Sequence, residues 1–260
     1  MVVLDIFPIW AVYIGTVALV LVAAEIGFRS GLWLRRRDPS AGDSSMRGAV
    51  VGGLLGLMAF LMAFSIGIVI NQQNDRKAMV VTEANAIGTA WLRAGFLDEP
   101  DLSSARDLLQ EYVEVRIAAV ADPTQLDAKM TRSEEIHSAL WAIVEETVRQ
   151  GNDSAIMALF TDSINEVIDV HLLRLTAANL RLPRLLGIVL YAAVLLSFLL
   201  VGVASSADGK RDFMAIFLFA LAFIAVLMII VDLDRPQEGI LTVSQEAMTD
   251  LLRQMTPTGQ

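Results

Sequence analysis

The side chains that most often carry catalysis or bind metal ions are few in this chain and poorly spaced for either role. It has two histidines and no cysteine, so thiol chemistry, disulfides and thiolate metal sites are excluded. His137 and His171 lie among apolar residues of separate predicted helices, and neither has a second histidine at metal-ligand spacing. The adjacent glutamates at 134–135 and at 145–146 point in different directions on a helix, as on a solvated face. We expect no enzyme activity, no metal site and no cofactor, with both histidines in the core or at its boundary.

The elements that must position any functional group are set by four long stretches without a charged side chain. These are residues 6–24, 49–70, 185–204 and 213–231. A helix rises about 1.5 Å per residue, so roughly 20 apolar residues cross the hydrocarbon core of a bilayer. The sequence therefore predicts an all-α membrane protein with four transmembrane helices embedded in the lipid bilayer.

A stretch long enough to form a water-facing domain separates the second span from the third. The predicted organisation is a membrane helix pair at 1–70, a helical soluble insert at 71–184, a second membrane helix pair at 185–231 and a C-terminal tail at 232–260. Apolar spacing predicts four helices in the insert, the first of which continues the second span. The insert carries most of the net charge of −9, so nucleic acid is not an expected partner.

The four spans contain no Asp, Glu, Lys or Arg. Ion-coupled transporters usually keep such residues at membrane depth, where each costs about 2.5–3.5 kcal/mol on insertion scales. Their absence argues against active transport, and it favours a passive pore or a membrane protein that transports nothing.

Basic residues concentrate in the two short links between paired spans. They are Arg29, Arg35, Arg36, Arg37 and Arg47 in the first link, and Lys210 and Arg211 in the second. Short loops rich in Lys and Arg stay in the cytoplasm. The pattern predicts a multi-pass protein of the cell membrane whose insert and both termini lie outside.

Small residues recur along one side of the second span. They are Gly48, Gly52, Gly56, Ala63 and Gly67. Small side chains let helix backbones approach closely in a membrane, so the pattern predicts that the second span is tightly packed. A phosphate-binding loop is excluded, because no strand precedes the glycines and no Lys-Ser or Lys-Thr follows them.

A neighbouring line of the same span carries bulky apolar residues. Phe60, Phe64 and Ile68 are four residues apart, so they form a ridge along the helix. If several copies of this span surround an axis, the ridge would form an apolar neck able to gate by dewetting. Ordinary packing against lipid or another helix explains the same spacing. Polar residues follow the span and would line the mouth of such a pore: Asn71, Gln72, Asn74 and Asp75.

Three groups of residues resemble the motifs of a known family. The first is the stretch EANAIGTAWLR from Glu83 to Arg93. The others are Asn165, Asp169, Arg174 and Pro183, and, after the fourth span, Asp232, Asp234, Arg235, Pro236 and Gly239. Together they resemble a widespread bacterial membrane family with a bestrophin-like domain, over nearly the whole chain. The resemblance implies two membrane helix pairs around a central helical insert, and a homo-oligomer, which in bestrophins is a pentamer.

The same resemblance implies an activity and an orientation. Bestrophins are anion channels with an apolar neck on their second span, and they keep both termini and their helical bulk in the cytoplasm. The short-loop charge count predicts the opposite orientation, so both remain open from the sequence. The acidic insert also suits an anion vestibule poorly, because a negative field repels anions.

The polar residues of the motifs are expected to hold helices together. Glu83, Asn85 and Arg93 share one helix of the insert, and we expect them to pair with Asp169 and Arg174 where the last insert helix returns beside it. Buried pairs of this kind fix register and are costly to break. The exit of the fourth span is expected to be held in the same way by Asp232, Asp234 and Arg235.

Two functions fit these observations. The first is an oligomeric, bestrophin-like passive channel for inorganic ions, with its neck on the second span. The second is a non-conducting membrane scaffold or sensor whose acidic helical insert binds a protein partner. Stoichiometry separates them most cheaply, since a monomer with four spans leaves little room for an axial pore.

Overall fold

A computed structural model describes residues 7–37, 44–151, 154–206, 213–235 and 241–256, and those ranges contain helices and no strand. Eight α-helices follow one another along them: α1 (Ile9–Arg37), α2 (Ser44–Arg93), α3 (Asp101–Ala121), α4 (Leu126–Arg149), α5 (Ala155–Asn179), α6 (Arg184–Ser205), α7 (Phe213–Asp234) and α8 (Glu246–Met255). Short 3-10 turns precede α3 and α4. The predicted all-α class is confirmed.

Within the described ranges, four helical stretches have the length and composition needed to cross a membrane. They are Ile9–Arg37, Gly48–Phe96, Ala155–Ser205 and Ile216–Asp234. Each contains one of the four uncharged stretches, or nearly all of it. The prediction of four membrane spans is therefore confirmed.

The chain divides into two compact units. The membrane unit comprises Met1–Gln72 and Arg181–Leu241, and the insert unit comprises Gln73–Leu180 and Thr242–Gln260. Helix α2 begins in the first unit and ends in the second. Each unit has its own hydrophobic core.

The core of the membrane unit contains residues from all four of its helices. Its fully buried side chains include Met58 and Val69 of α2, Leu190 and Phe198 of α6, and Leu227 of α7. The backbones of α1 and α6 approach each other closely. A Cβ added at Gly27 of α1 would collide with the carbonyl oxygen of Leu199, and one at Gly202 of α6 with that of Ala24. Glycine at these positions is what allows the two backbones to touch.

The core of the insert unit is built from α3, α4, α5, α8 and the second part of α2. Its fully buried side chains include Ile87, Leu109, Ile136, Leu140, Phe160, Ile164 and Met248. The breaks between helices coincide with Pro100, Pro123 and Gly151, which interrupt the apolar periodicity. Val120 is exposed near the end of α3.

The segment interpreted from sequence as a C-terminal tail contains α8, which belongs to the insert unit. Met248 and Met255 of this helix are buried, and Leu251 and Leu252 pack against the same core. The three- and four-residue spacing of these side chains is that of an amphipathic helix. The insert unit is therefore discontinuous in sequence.

Candidate functional site

The face of α2 that the chain leaves uncovered in the membrane unit carries two large aromatic side chains. Phe60 is 66% exposed and Phe64 55%, and both lie on the side of the helix away from Met58 and Met62, which are buried. Ile68 continues the ridge but is half-buried and touches the core of the membrane unit. Phe60 and Phe64 are thus the members of the predicted neck that the described residues of one chain leave mostly exposed.

The small residues of α2 also lie on uncovered surface. A Cβ added at Gly48, Gly52, Gly56 or Gly67 would meet no described atom within 4 Å, and Ala63 is exposed. Within the described residues of one chain these small residues do not pack against another helix, so the prediction that the second span is tightly packed stays a prediction about contacts between chains. Small residues permit close approach but do not supply a partner, and the close pair in this chain is α1 with α6.

Four polar residues predicted to line a pore mouth follow Ile70 on α2. Asn71, Asn74 and Asp75 are exposed, while Gln72 is half-buried and its Oε1 has no hydrogen-bond partner among the described residues. The next basic residue, Arg76, is buried instead. It donates to the carbonyl oxygens of Ala177 at 3.3 Å and Leu180 at 2.6 Å, and so satisfies backbone groups at the end of α5.

The centre of the insert unit holds a fully buried carboxylate between two arginines. Glu83 Oε1 accepts hydrogen bonds from the Tyr112 hydroxyl and from Arg116 Nε, both at 2.9 Å, and Glu83 Oε2 accepts one from Arg174. Burial alone would raise the pKa of Glu83. The positive charges of Arg116 and Arg174, with the hydrogen bonds from Arg174 and Tyr112, outweigh burial and hold this pKa below its usual value. The carboxylate is therefore ionised, and it links α2, α3 and α5 at one point.

Two histidines extend this network. His171 Nδ1 lies 2.8 Å from the Tyr112 hydroxyl, and the rings of His137 and His171 meet edge to face with centroids 4.9 Å apart. Burial, followed by the nearby charge of Arg116, lowers the pKa of each histidine to about 4. Both are therefore neutral at physiological pH. His137 Nε2 is buried without a hydrogen-bond partner among the described residues.

The histidines and glutamates do not assemble a metal site. Over the described residues, no group of three or more His, Cys, Asp or Glu side chains is placed to hold a metal ion. The Glu83 carboxylate is already bonded to three side chains, two of which carry positive charge. The hydrogen bonds of this carboxylate join three helices, and none of them activates a nucleophile.

The other motif residues of the insert do not join the Glu83 network. Asn85, Asn165 and Asp169 are exposed. Arg93 donates to the carbonyl oxygen of Leu159 at 2.7 Å, so it does not reach Asp169. Of the expected pairings, the structure contains Glu83 with Arg174. Residue 85 follows residue 83 by about 200° around a helix, so its side chain cannot face the same partner.

Asp232 and Asp234 at the end of α7, and Arg235 just after it, are buried and bonded within the membrane unit. Asp232 accepts hydrogen bonds from the Tyr13 hydroxyl at 3.2 Å and from the backbone N–H of Leu241 at 3.1 Å. Asp234 accepts one from the backbone N–H of Leu182 at 2.6 Å. Arg235 donates to the carbonyl oxygen of Phe7 at 3.1 Å. These contacts join the end of α7 to α1 and to the segments before α1 and α6, while Pro236 and Gly239 lie outside the described residues.

Sequence reasoning missed Arg116 and Tyr112 as members of the Glu83 network. A usable signal was present, because Leu109, Tyr112, Val113 and Arg116 follow the spacing of the buried side of α3. An arginine on the apolar side of a helix needs a buried acid, and Glu83 supplies it.

Comparisons with known proteins agree on one fold. A family model described as a bestrophin-like domain matches residues 13–248, whereas no curated protein matches the chain. A mutant of a bacterial bestrophin homologue from Klebsiella pneumoniae is similar at a TM-score of 0.68 and 16% identity, over 95% of this chain and 99% of that one. Another structure of the Klebsiella homologue gives a TM-score of 0.66 and 14% identity, over 93% and 96%. A variant of a crystallised membrane protein gives 0.69 and 15%, over 95% and 99%.

Proposed function

The chain belongs to the bestrophin-like family, and we propose on that premise that its copies assemble in the membrane into a passive channel for inorganic ions whose pore is lined by α2. The observation that carries the proposal is the uncovered face of α2. In a single chain this face leaves Phe60 and Phe64 exposed, whereas Met58 and Met62 on the opposite side of the helix are buried in the core of the membrane unit.

The order of residues along this face suits a pore. Phe60, Phe64 and Ile68 are about 6 Å apart along the helix axis, so copies of α2 around an axis would stack three apolar rings. Such a constriction opposes ion passage until it widens and wets. Asn71, Asn74 and Asp75 follow as exposed polar groups able to replace part of the hydration shell of an ion.

The glycines of α2 support an assembly of several copies. Gly52 and Gly56 have open space where a side chain would stand. A neighbouring α2 could therefore approach closely at these positions, as small residues allow in membranes. We infer a homo-oligomer, for which the pentamer of bestrophins is the working expectation.

The charge at the proposed mouth favours cations. Asp75 is exposed, and the chain as a whole has a net charge of −9. Carboxylate rings are typical of cation-selective pores, because they concentrate cations and repel anions. In asymmetric KCl we expect the reversal potential to lie toward the potassium equilibrium potential.

Planar-bilayer recording of the purified protein tests the proposal. We expect current from the wild type, and a changed unitary conductance or open probability when Phe64→Ala removes one apolar ring. The matched control is Leu218→Ala, which truncates an exposed apolar side chain of α7 and should leave the current unchanged. Silence in every salt, with the protein folded and oligomeric, would favour the scaffold or sensor instead.

A further inference from the structure

The end of α1 presents a basic and aromatic face that the channel proposal does not use. Arg29, Trp33 and Arg37 recur at four-residue spacing on this helix. Arg29, Ser30, Trp33 and Leu34 line a surface cavity of about 550 Å³. The cavity combines the Arg29 guanidinium with an indole ring and an aliphatic side chain.

The length of α1 places this face at the membrane surface. The helix has 29 residues, which corresponds to about 43 Å, whereas the hydrocarbon core is about 30 Å thick. Its uncharged part ends at Ala24, immediately before Glu25. If the uncharged part fills the hydrocarbon core, the turns from Glu25 to Arg37 stand among lipid headgroups, where tryptophan is favoured.

The packing of α1 turns this face away from the chain. Gly27 and Gly31 lie on the opposite side of the helix, where an added Cβ would collide with Leu199 and with the Ser206 side chain. Trp33 is 53% exposed, and Leu34 is also exposed. Within the described residues, nothing of the same chain covers the cavity.

The guanidinium groups on this face keep donors for an anion. Arg29 bonds Glu25 through Nε at 2.7 Å, which uses one of its five N–H donors. The Arg37 guanidinium stacks over the Trp33 ring at 3.9 Å, and stacking leaves its in-plane N–H groups available. Arg36 adds a further positive charge in the same turn.

We propose that this face binds the headgroup of an anionic phospholipid, with the phosphate held by Arg29 and Arg37 and the rest of the headgroup against Trp33 and Leu34. Charge complementarity selects an anionic group, and the position of this face among the headgroups makes a lipid its source in place of a free phosphate. The proposal is independent of whether the protein conducts ions.

Native mass spectrometry of the full-length protein in detergent tests this site. Phosphatidylglycerol is added at increasing concentration, and phosphatidylcholine with the same acyl chains in parallel. We expect tight adducts with phosphatidylglycerol alone. The double variant Arg29→Gln with Arg37→Gln should weaken them about tenfold or more, since each basic residue near an anionic surface contributes about fivefold.

The matched control is the double variant Arg149→Gln with Arg253→Gln. It makes the same change in charge at exposed arginines of the insert unit, and its lipid adducts should equal those of the wild type. Trp33→Leu is a second test and should weaken the adducts while leaving all charges in place. Unchanged binding by the Arg29 and Arg37 double variant, equal adducts with phosphatidylcholine, or displacement of the lipid by inorganic phosphate would overturn the proposal.

Discussion

Glu83 shows how a single buried charge can organise the insert unit. It has no exposed surface, and its carboxylate bonds Arg116 and Tyr112 of α3 and Arg174 of α5. Taking three charges out of water is costly, and their mutual attraction offsets the cost only when the geometry is complete. Arg174 also donates to Gln245, just before α8, at 2.6 Å. The residue therefore specifies how four segments of the insert unit meet.

Replacing Glu83 with glutamine should destabilise the insert unit strongly. The variant keeps the shape of the side chain but leaves Arg116 and Arg174 buried without a counter-charge, which costs about 3–5 kcal/mol. Thermal unfolding of the purified protein measures the loss. Glu145→Gln is the control, because its ion pair with Arg149 is exposed and contributes at most about 1 kcal/mol. Equal midpoints for the two variants would contradict the structural role of Glu83.

Acidification should destabilise the insert unit through its two histidines. In the folded protein the pKa of His137 and of His171 is about 4, against an ordinary value of 6.5. Above pH 6.5 neither state binds these protons. Below it the unfolded chain takes them up and the folded protein does not, so the free energy of unfolding falls until the pH reaches about 4. The loss is on the order of 2 kcal/mol for each histidine by about pH 5.

The variant His137→Phe tests this pH dependence by removing one of the two titrating rings. Phenylalanine keeps the ring contacts with Tyr112 and His171, and no described hydrogen bond of His137 Nε2 is lost. We expect near wild-type stability at neutral pH and a shallower loss on acidification, measured as the unfolding midpoint against pH. An unchanged pH profile would show that His137 does not titrate as inferred.

At the scale of helices, α1 and α6 form the close pair of the membrane unit, while α2 is left with an uncovered side. Both α6 and α2 contain glycine, but the surroundings of the glycines differ. At Gly202 an added methyl group would collide with backbone atoms of α1, whereas at Gly56 it would meet no atom of the described residues within 4 Å. Glycine therefore allows a close helix contact within the chain at Gly202, and at Gly56 it lies on exposed surface.

This contrast predicts different outcomes for two identical substitutions. Gly202→Ala should lower the stability of the protomer by about 1–3 kcal/mol, because backbone atoms cannot move aside cheaply. Gly56→Ala should leave the protomer intact and weaken the oligomer, if α2 copies meet there. Thermal unfolding and light scattering in detergent measure the two effects. A Gly202→Ala variant as stable as wild type would contradict the close α1–α6 contact.

The spans and the insert helices were predictable because strong local signals set them. Bilayers exclude charge, so uncharged runs located α1, α2, α6 and α7, and Pro and Gly marked the ends of the insert helices. Helix α8 was missed although Met248, Leu251, Leu252 and Met255 have helical spacing. A ten-residue helix has little intrinsic stability, and the core it joins is built from distant sequence.

The site was predictable in part for the same reason. Spacing on one helix identified the ridge of Phe60 and Phe64. The partners of Glu83 depend on how α3 and α5 return beside α2, and sequence spacing alone cannot fix that arrangement. Asn85 and Asp169 were expected in buried pairs, but they are exposed.

At the scale of the whole molecule, two arguments predict opposite orientations of the insert in the membrane. One is the charge of the short loops, and the other is the resemblance to bestrophins. The short-loop charge count predicts that the insert lies outside, because Arg29, Arg36 and Arg37 belong to the first link. Two basic residues that flank the spans on the insert side have a structural role. Arg76 and Arg181 donate hydrogen bonds to backbone carbonyl oxygens.

A single cysteine introduced by Gly151→Cys tests the orientation. The chain has no cysteine of its own, and Gly151 lies on an exposed turn of the insert unit. We expect labelling of intact cells by a membrane-impermeant thiol reagent. Labelling only after permeabilisation would place the insert in the cytoplasm and show that the family arrangement overrides the charge of the first link.

The lack of native cysteine also allows the most direct test of a pore lined by α2. Phe64→Cys is compared with Leu196→Cys, which places a thiol at an exposed apolar position of α6. A charged methanethiosulfonate reagent is added during planar-bilayer recording of each variant. We predict that it blocks the current through the Phe64→Cys channel and leaves the Leu196→Cys channel unchanged. A Phe64→Cys current that is insensitive to the reagent would contradict the account.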